Sequence, residues 1–230
     1  MSSKPRVQPE DVVDRWAFER SAWDRGFMRL AGVDEAGRGP LAGPVVAAAV
    51  LLPAAWAGAG LPNELQGLND SKKVPAARRE RYFQFLLSCV EIARGVGIVD
   101  ASSIDRINIL QATYVAMNEA LSQIKPSPDH VLVDGNHVPT IALPQTSIVS
   151  GDSLSYSIAA ASILAKVTRD HLMVEFDRLY PGYGFAVHKG YPTPQHLAAL
   201  ATQGPSPIHR VSFAPVRAVQ GEFSFPRPSD

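Results

Sequence analysis

Cysteine is almost missing from this chain: Cys89 is the single one in 230 residues, so no intrachain disulfide can form and no cysteine-rich zinc site can be built. Net charge is missing too. With 22 basic and 22 acidic side chains, the overall field does not steer the protein toward nucleic acid, and any such attraction must come from local clusters. Long apolar runs are also lacking. Val45 to Leu52 falls far short of the ~20 residues a helix needs to cross a bilayer, and residues 1–26 are charged throughout, without the apolar core of a signal peptide. A cytoplasmic protein without membrane contact is expected.

What is present is enough apolar material, 46%, for one large core. Residues 11–27 carry Val12, Val13, Trp16, Ala17, Trp23 and Phe27 at helical spacing, so residues 1–27 read as a partly helical appendage. Leu30 to Val33, Val45 to Leu52 and Ile92 to Val99 read as strands, with a loop over 54–70 and a helix containing Arg78 to Cys89. Ile107, Leu110, Tyr114, Met117, Leu121 and Ile124 step by three and four, which predicts a helix closed by Pro126. Two further strands, His130 to Asp134 and Thr146 to Val149, precede a long helix from about Ser155 to Leu179, with Ala161, Ala165, Thr168, Leu172, Phe176 and Leu179 on one face. A short helix over Pro194 to Thr202 follows, then loop and a proline-rich tail.

Three of these strands lead to aspartates: Asp34, Asp134 and Asp152. Strands of one sheet lie ~4.8 Å apart, so carboxylates at neighbouring strand ends can converge on one site. Glu35 adds a fourth donor. Taken singly, an Asp after a strand is more often a turn former or a helix cap, and Asp152 before Ser153 fits a cap well. Together, hard oxygen ligands without Cys or His select Mg²⁺ or Mn²⁺, and two such ions favour phosphodiester hydrolysis.

Around the acids lie groups suited to phosphate. Gly37, Arg38 and Gly39 offer free amides and a guanidinium fork; a tight turn with a solvated Arg is the plain alternative. The rival is a dinucleotide fingerprint, which would make the protein an oxidoreductase; it is opposed by Gly43 standing one place late and by the valine- and alanine-rich run that follows in place of an amphipathic helix. Lys72 and Lys73 follow Asn69-Asp70-Ser71, and Tyr191 sits in His188-Lys189-Gly190-Tyr191-Pro192, where a ring can stack on a sugar or base. Arg78-Arg79-Arg81, Lys166 with Arg169, and His209-Arg210 complete the basic clusters. A charge run taken alone reads equally well as a solvated face.

From about Ala31 to about Val219 the chain resembles the type 2 ribonuclease H family, bacterial ribonuclease HII. The resemblance lies in Ala31 to Pro44, Leu68 to Lys73, Val131 to Asn136, Gly151 to Ser153, Ala159 to Asp170, Tyr183 to Thr193 and His209 to Phe213. It implies an α/β, ribonuclease H-like fold: a mixed five-stranded sheet whose first three strands are antiparallel, flanked by helices, with a C-terminal helical extension. A catalytic unit over 28–219 and a flexible tail over 220–230 follow. So do Asp34, Glu35, Asp134 and Asp152 as catalytic carboxylates for Mn²⁺ or Mg²⁺. Gly37, Arg38 and Gly39 match the motif that senses a ribonucleotide 2′-OH and its phosphate, and Tyr191 matches a tyrosine that stacks on the following deoxyribose and disfavours a second 2′-OH. The implied activity is endonucleolytic: cleavage of the RNA strand of RNA/DNA hybrids and incision 5′ of single ribonucleotides in duplex DNA, leaving 3′-hydroxyl and 5′-phosphate ends.

Type 3 relatives carry Gly-Thr-Gly and an extra N-terminal domain; here Arg38 is present and the leader is short. Ser150 departs from the lysine that many relatives place before the Gly-Asp pair. That departure alone motivates a competing reading, a protein that binds hybrids without cutting them. A monomer is expected, and Gln220 ahead of Phe223 and Phe225 resembles a sliding-clamp binding peptide.

Overall fold

The computed structural model describes residues 13–222. Residues 1–12 of the appendage and Phe223 and Phe225 of the clamp-like peptide lie outside the described residues. Among the described residues no helix is long and apolar enough to cross a membrane.

The five strands are β1 (Leu30–Ala36), β2 (Val45–Leu51), β3 (Ala93–Val99), β4 (His130–Asp134) and β5 (Gln145–Ile148). Their order in the sheet is β3-β2-β1-β4-β5. The first three pair antiparallel, whereas β1–β4 and β4–β5 pair parallel. This is the expected mixed ribonuclease H-like sheet, with β1 at its centre.

Helices α1 (Ala17–Asp24), α2 (Trp56–Ala59), α3 (Ala76–Ser88) and α4 (Ala101–Ser122) precede β4, and α5 (Gly151–Leu154) and α6 (Tyr156–Leu179) follow β5. The chain ends in α7 (Phe185–His188), α8 (Pro194–Gln203) and α9 (Ala214–Glu222). The expected loop over 54–70 contains α2 and a single 3₁₀ turn, Asn63–Leu65.

The two long helices cover opposite faces of the sheet, which is why β2 is apolar without alternation. Ala31, Val33, Ala47 and Ala49 face α4, together with Ala116 and Ala120. Val46, Ala48 and Val50 face α6, in a core shared with Trp16, Leu86 and Ile163. Residues Ser157 to Ala165 of α6 are buried on every side, not on the single face that the spacing predicts, because α1 and α3 close over the back of the helix. Ser155 caps α6 by accepting from Ile158 N (3.2 Å), and its hydroxyl donates to Glu19 Oε1 of α1 (2.6 Å).

The predicted face of α4 also needs correction. Asn108 has φ 64° and ψ 163°, breaking the helix, and its Oδ1 accepts from Leu110 N and Gln111 N (3.0 and 3.1 Å), so it caps a second helical segment. Two phases therefore exist. Ile107 and Leu110, placed by spacing on the buried side, are 38% and 42% exposed, whereas Met117, Leu121 and Ile124 are buried as expected.

Close approach of α6 to β1 depends on one missing side chain. A Cβ on Gly32 would stand 2.2 Å from Ser157 C and 2.4 Å from Ile158 N, both backbone atoms that cannot swing away. Gly32→Ala should therefore destabilise the protein by about 3 kcal/mol or more, lowering the thermal midpoint by about 6 °C or more; an unchanged midpoint would show that α6 shifts freely on the sheet.

Candidate active site

Asp34 lies inside β1 and Asp134 ends β4. The parallel register sets Val33 beside Val133, so the next residue on each strand is an aspartate beside an aspartate. Strand alternation puts Asp34 on the α6 side with Gly32, and Glu35 leaves in the opposite sense, where its Oε1 accepts from Arg38 Nη1 at 3.1 Å. Asp34 Oδ1 accepts from Glu35 N at 2.7 Å. Asp134 Oδ1 accepts from Gly151 N, also at 2.7 Å, which holds it toward α5.

Asp152 requires a correction. It does not end a strand, since β5 stops at Ile148, and it does not cap α6, since Ser155 does; it is the second residue of the single turn α5. That turn starts from Ser150, which adopts a left-handed conformation (φ 57°) and is exposed.

The electrostatics of Asp34, Glu35 and Asp152 are those of crowded, desolvated anions. Burial raises Asp34 well above the usual carboxylate range, helped by the charges of Glu35 and Asp134 and opposed by the Ser162 hydroxyl and the Glu35 amide. Burial likewise raises Glu35, with Arg38 opposing and Asp134 adding to the rise. Asp152 is raised by burial and by the neighbouring Asp70 and Asp134, with Lys72 opposing. Among the described residues, Lys and Arg side chains stay beyond ion-pair distance of Asp34, Asp134 and Asp152. Nor do three acids among the described residues close into a compact cation cage. They are near enough to repel and are not drawn together. A set of buried oxygen donors that lacks a cationic side chain fits a divalent cation, whose charge would offset the repulsion.

A cleft of about 390 Å³ opens beside Asp34 and Glu35, lined also by Gly37, Arg38, Gly39, Lys72 and Tyr191. The sequence-predicted phosphate and sugar contacts therefore share one cavity with two of the acids. Lys73 does not line it: its Nζ donates to Ser153 Oγ of α5 at 3.1 Å and lies 3.7 Å from Asp70. Ser71, Ser162, Lys166 and Arg169 line the cleft as well, and none of these was singled out individually from sequence. The Ser162 hydroxyl donates to Ser71 Oγ at 3.0 Å, and Lys166 Nζ bonds Asp170 Oδ1 at 2.7 Å.

The segment 37–44 owes its shape to two buried arginines. Arg169 and Arg210, which spacing alone allowed to be solvated charges, are 1% and 0% exposed. Arg169 donates to the carbonyls of Ala42, Pro44 and Lys189 at 2.9–3.0 Å. Arg210 donates to those of Gly37, Arg38 and Gly43 and lies over the Phe213 ring at 5.1 Å. Burial pushes Arg169 down to about 10 and Arg210 to about 9, which leaves both charged at neutral pH. Gly37 has φ 97°, and a Cβ there would meet Arg169 Nε at 2.1 Å, so this glycine is a condition of the clamp. The loop leads into β2 and not into a helix, which disposes of the dinucleotide fingerprint.

Such a sheet, with carboxylates at its central strands beside a cationic cleft, defines a ribonuclease H-like hydrolase. The family model described as Ribonuclease HII matches residues 31–216. Ribonuclease HII of Geobacter sulfurreducens is 55% identical over 215 residues, 94% of each chain, and that of Myxococcus xanthus is 50% identical over 95% of this chain and 72% of its own. The ribonuclease H2 of Pyrococcus horikoshii OT3 superposes with a TM-score of 0.70 at 25% identity, over 85% of this chain and 99% of that one. Bst-RNase HIII in complex with Mn²⁺ shares the fold, with a TM-score of 0.67 at 16% identity over 96% of this chain and 76% of that one. The chain belongs to the ribonuclease HII family, and with it to the endonucleases that hydrolyse RNA paired with DNA.

Crowded anions weaken the fold that carries them. Asp34→Asn removes one of the repelling charges while keeping an acceptor for Glu35 N, so in chelator at pH 8 the variant should melt about 2–4 °C above wild type. The sign of the pH dependence follows from the raised folded value: wild type loses stability as pH rises through it, so the advantage of Asn is present at pH 8 and vanishes below 3.8, the ordinary carboxylate value. Equal midpoints at pH 8 would contradict the repulsion.

Proposed function

We propose that this ribonuclease HII cuts the phosphodiester on the 5′ side of a ribonucleotide embedded in duplex DNA, as well as the RNA strand of hybrids, leaving 3′-hydroxyl and 5′-phosphate ends. The observation that carries the reading is the placement of buried Asp34 and part-buried Glu35, whose charge helps raise Asp34, in the same cleft as Gly37-Arg38-Gly39 and Tyr191. Asp34, Glu35, Asp134 and Asp152 would hold two Mn²⁺ or Mg²⁺ ions. When bound, these supply charge that activates water and stabilises the phosphate during displacement.

The chain's own groups do the positioning. Gly151 N holds Asp134, and Glu35 N holds Asp34. Arg38 is half exposed and, among the described residues, forms an ion pair with Glu35 alone, so it is free to exchange toward a phosphate. A Cβ on Gly39 would meet nothing closer than Tyr191 Cε1 at 3.7 Å; packing of the loop does not demand glycine there, and the open space suits a backbone that a ribose approaches closely. Tyr191, 42% exposed, presents its ring beside this opening to the next sugar. Selection by a 2′-OH and by stacking carries little base preference.

A duplex with a single ribonucleotide should be nicked in the presence of Mg²⁺ or Mn²⁺ and spared in chelator, read on a denaturing gel. An intact strand with either ion would reject the proposal and leave hybrid binding without cleavage as the reading. Asp134→Asn should lower turnover about a thousandfold or more; retention of wild-type turnover would remove Asp134 from the catalytic group.

A further inference from the structure

Beneath Tyr191 lies a buried histidine cluster that the cleavage chemistry does not use. His188, His196 and His209, from α7, α8 and the loop after it, are all buried. His188 and His196 stack with centroids 4.4 Å apart and planes 14° apart, and Phe185 closes the group with its ring nearly perpendicular to both. The hydrogen bonds fix every tautomer. A backbone amide can only donate, so Ser206 N, 2.9 Å from His209 Nδ1, makes that nitrogen an acceptor. The neutral ring then carries its proton on Nε2, which donates to His196 Nε2 at 3.0 Å. His196 in turn carries its proton on Nδ1, which donates to the Tyr191 carbonyl at 2.9 Å. His188 repeats the logic, its Nδ1 accepting from Gly190 N at 3.1 Å and its Nε2 donating to Tyr183 O at 2.8 Å.

We propose that the chain Ser206–His209–His196 is a positioning relay that fixes the backbone of Tyr191, and through it the preference for a deoxyribose over a ribose in the sugar that follows the cleaved ribonucleotide. The inference rests on the assignment of the Tyr191 ring to that sugar. The relay works with neutral rings throughout, and burial provides them, lowering His196 and holding His209 at about 4. Its far end is anchored beside Arg210, whose backbone N bonds Leu41 O at 2.8 Å. The same set of loops thereby fixes both the glycine segment and the tyrosine: Leu41 N also bonds Gly190 O at 2.8 Å.

The test compares kcat/KM for cleavage at the bond 5′ of the first ribonucleotide, resolved by product length, on two duplexes that differ by one 2′-OH on the nucleotide 3′ to it. This ratio cancels any general loss of active protein. His196→Leu removes the donor to Tyr191 and should reduce the preference for the deoxy substrate about fivefold. His196→Asn places a side-chain amide near the former Nδ1 and should restore the preference to within about twofold. Tyr191→Ala should reduce it as His196→Leu does, with no further loss in the double variant. If Tyr191→Ala shifts the ratio and folded His196→Leu does not, the relay is overturned while the tyrosine assignment stands. If neither shifts it, the tyrosine assignment falls and the relay with it. Imidazole ¹⁵N shifts of the unaltered protein give a check that needs no variant: protonated Nε2 on His209 and protonated Nδ1 on His196 support the relay, and the opposite tautomers overturn it.

Discussion

Two guanidinium groups that never reach solvent are the constraint from which the rest of the site follows. Arg169 comes from the centre of α6 and Arg210 from the loop before α9, and their donors converge on the carbonyls of Gly37, Arg38, Ala42, Gly43 and Pro44. A loop this rich in glycine and proline has few bonds of its own, and unpaired buried carbonyls are costly. Planar forks satisfy several at once, which an ammonium on a flexible stem does not. The backbone of the segment is held from its amides as well, Leu41 N bonding Gly190 O and Gly43 N bonding Ile208 O, each at 2.8 Å. Rigidity of a cleft-lining loop here comes from side chains distant in sequence.

The legibility of the molecule divides along physical lines. β1 and β4 announce themselves because an apolar run buried on both faces ends in aspartate, and Asp34 and Asp134 stand side by side as that pattern implies. β5 is shorter and partly exposed, and the chain turns through Ser150 before Asp152, so strand logic misplaces that residue by a helical turn. α7 is one turn between left-handed Gly184 and Lys189, too short for any periodicity. α9 carries Pro215 and Gly221, which read as loop although proline is compatible with a first turn. The burial of Arg169 and Arg210 leaves no mark on spacing, since a lone charge at helical position 169 looks the same whether it faces water or carbonyls. Gly151 is similarly opaque: its contribution is an amide N–H, which every residue but proline has.

The acids and the arginines face opposite problems in the same few cubic nanometres. The arginines find carbonyl partners throughout, so their burial supports the fold. The carboxylates are left short of donors, with one amide each for Asp34 and Asp134 and a single cation for Glu35. Stability is given up where chemistry is expected and recovered in the loop that borders it, a division common at functional sites.

The break in α4 has a consequence for how the two sides of the sheet communicate. Released from the register of the rest of its helix, the short leading segment carries Asp105 out to the loop after Arg210, where its carboxylate accepts from Val211 N, Ser212 N and Ser212 Oγ. An element seated on the face opposite α6 therefore moors the strand of chain that supplies the innermost guanidinium. The break at Asn108 thus lets one helix serve both the core under the sheet and the loop that reaches the glycine segment.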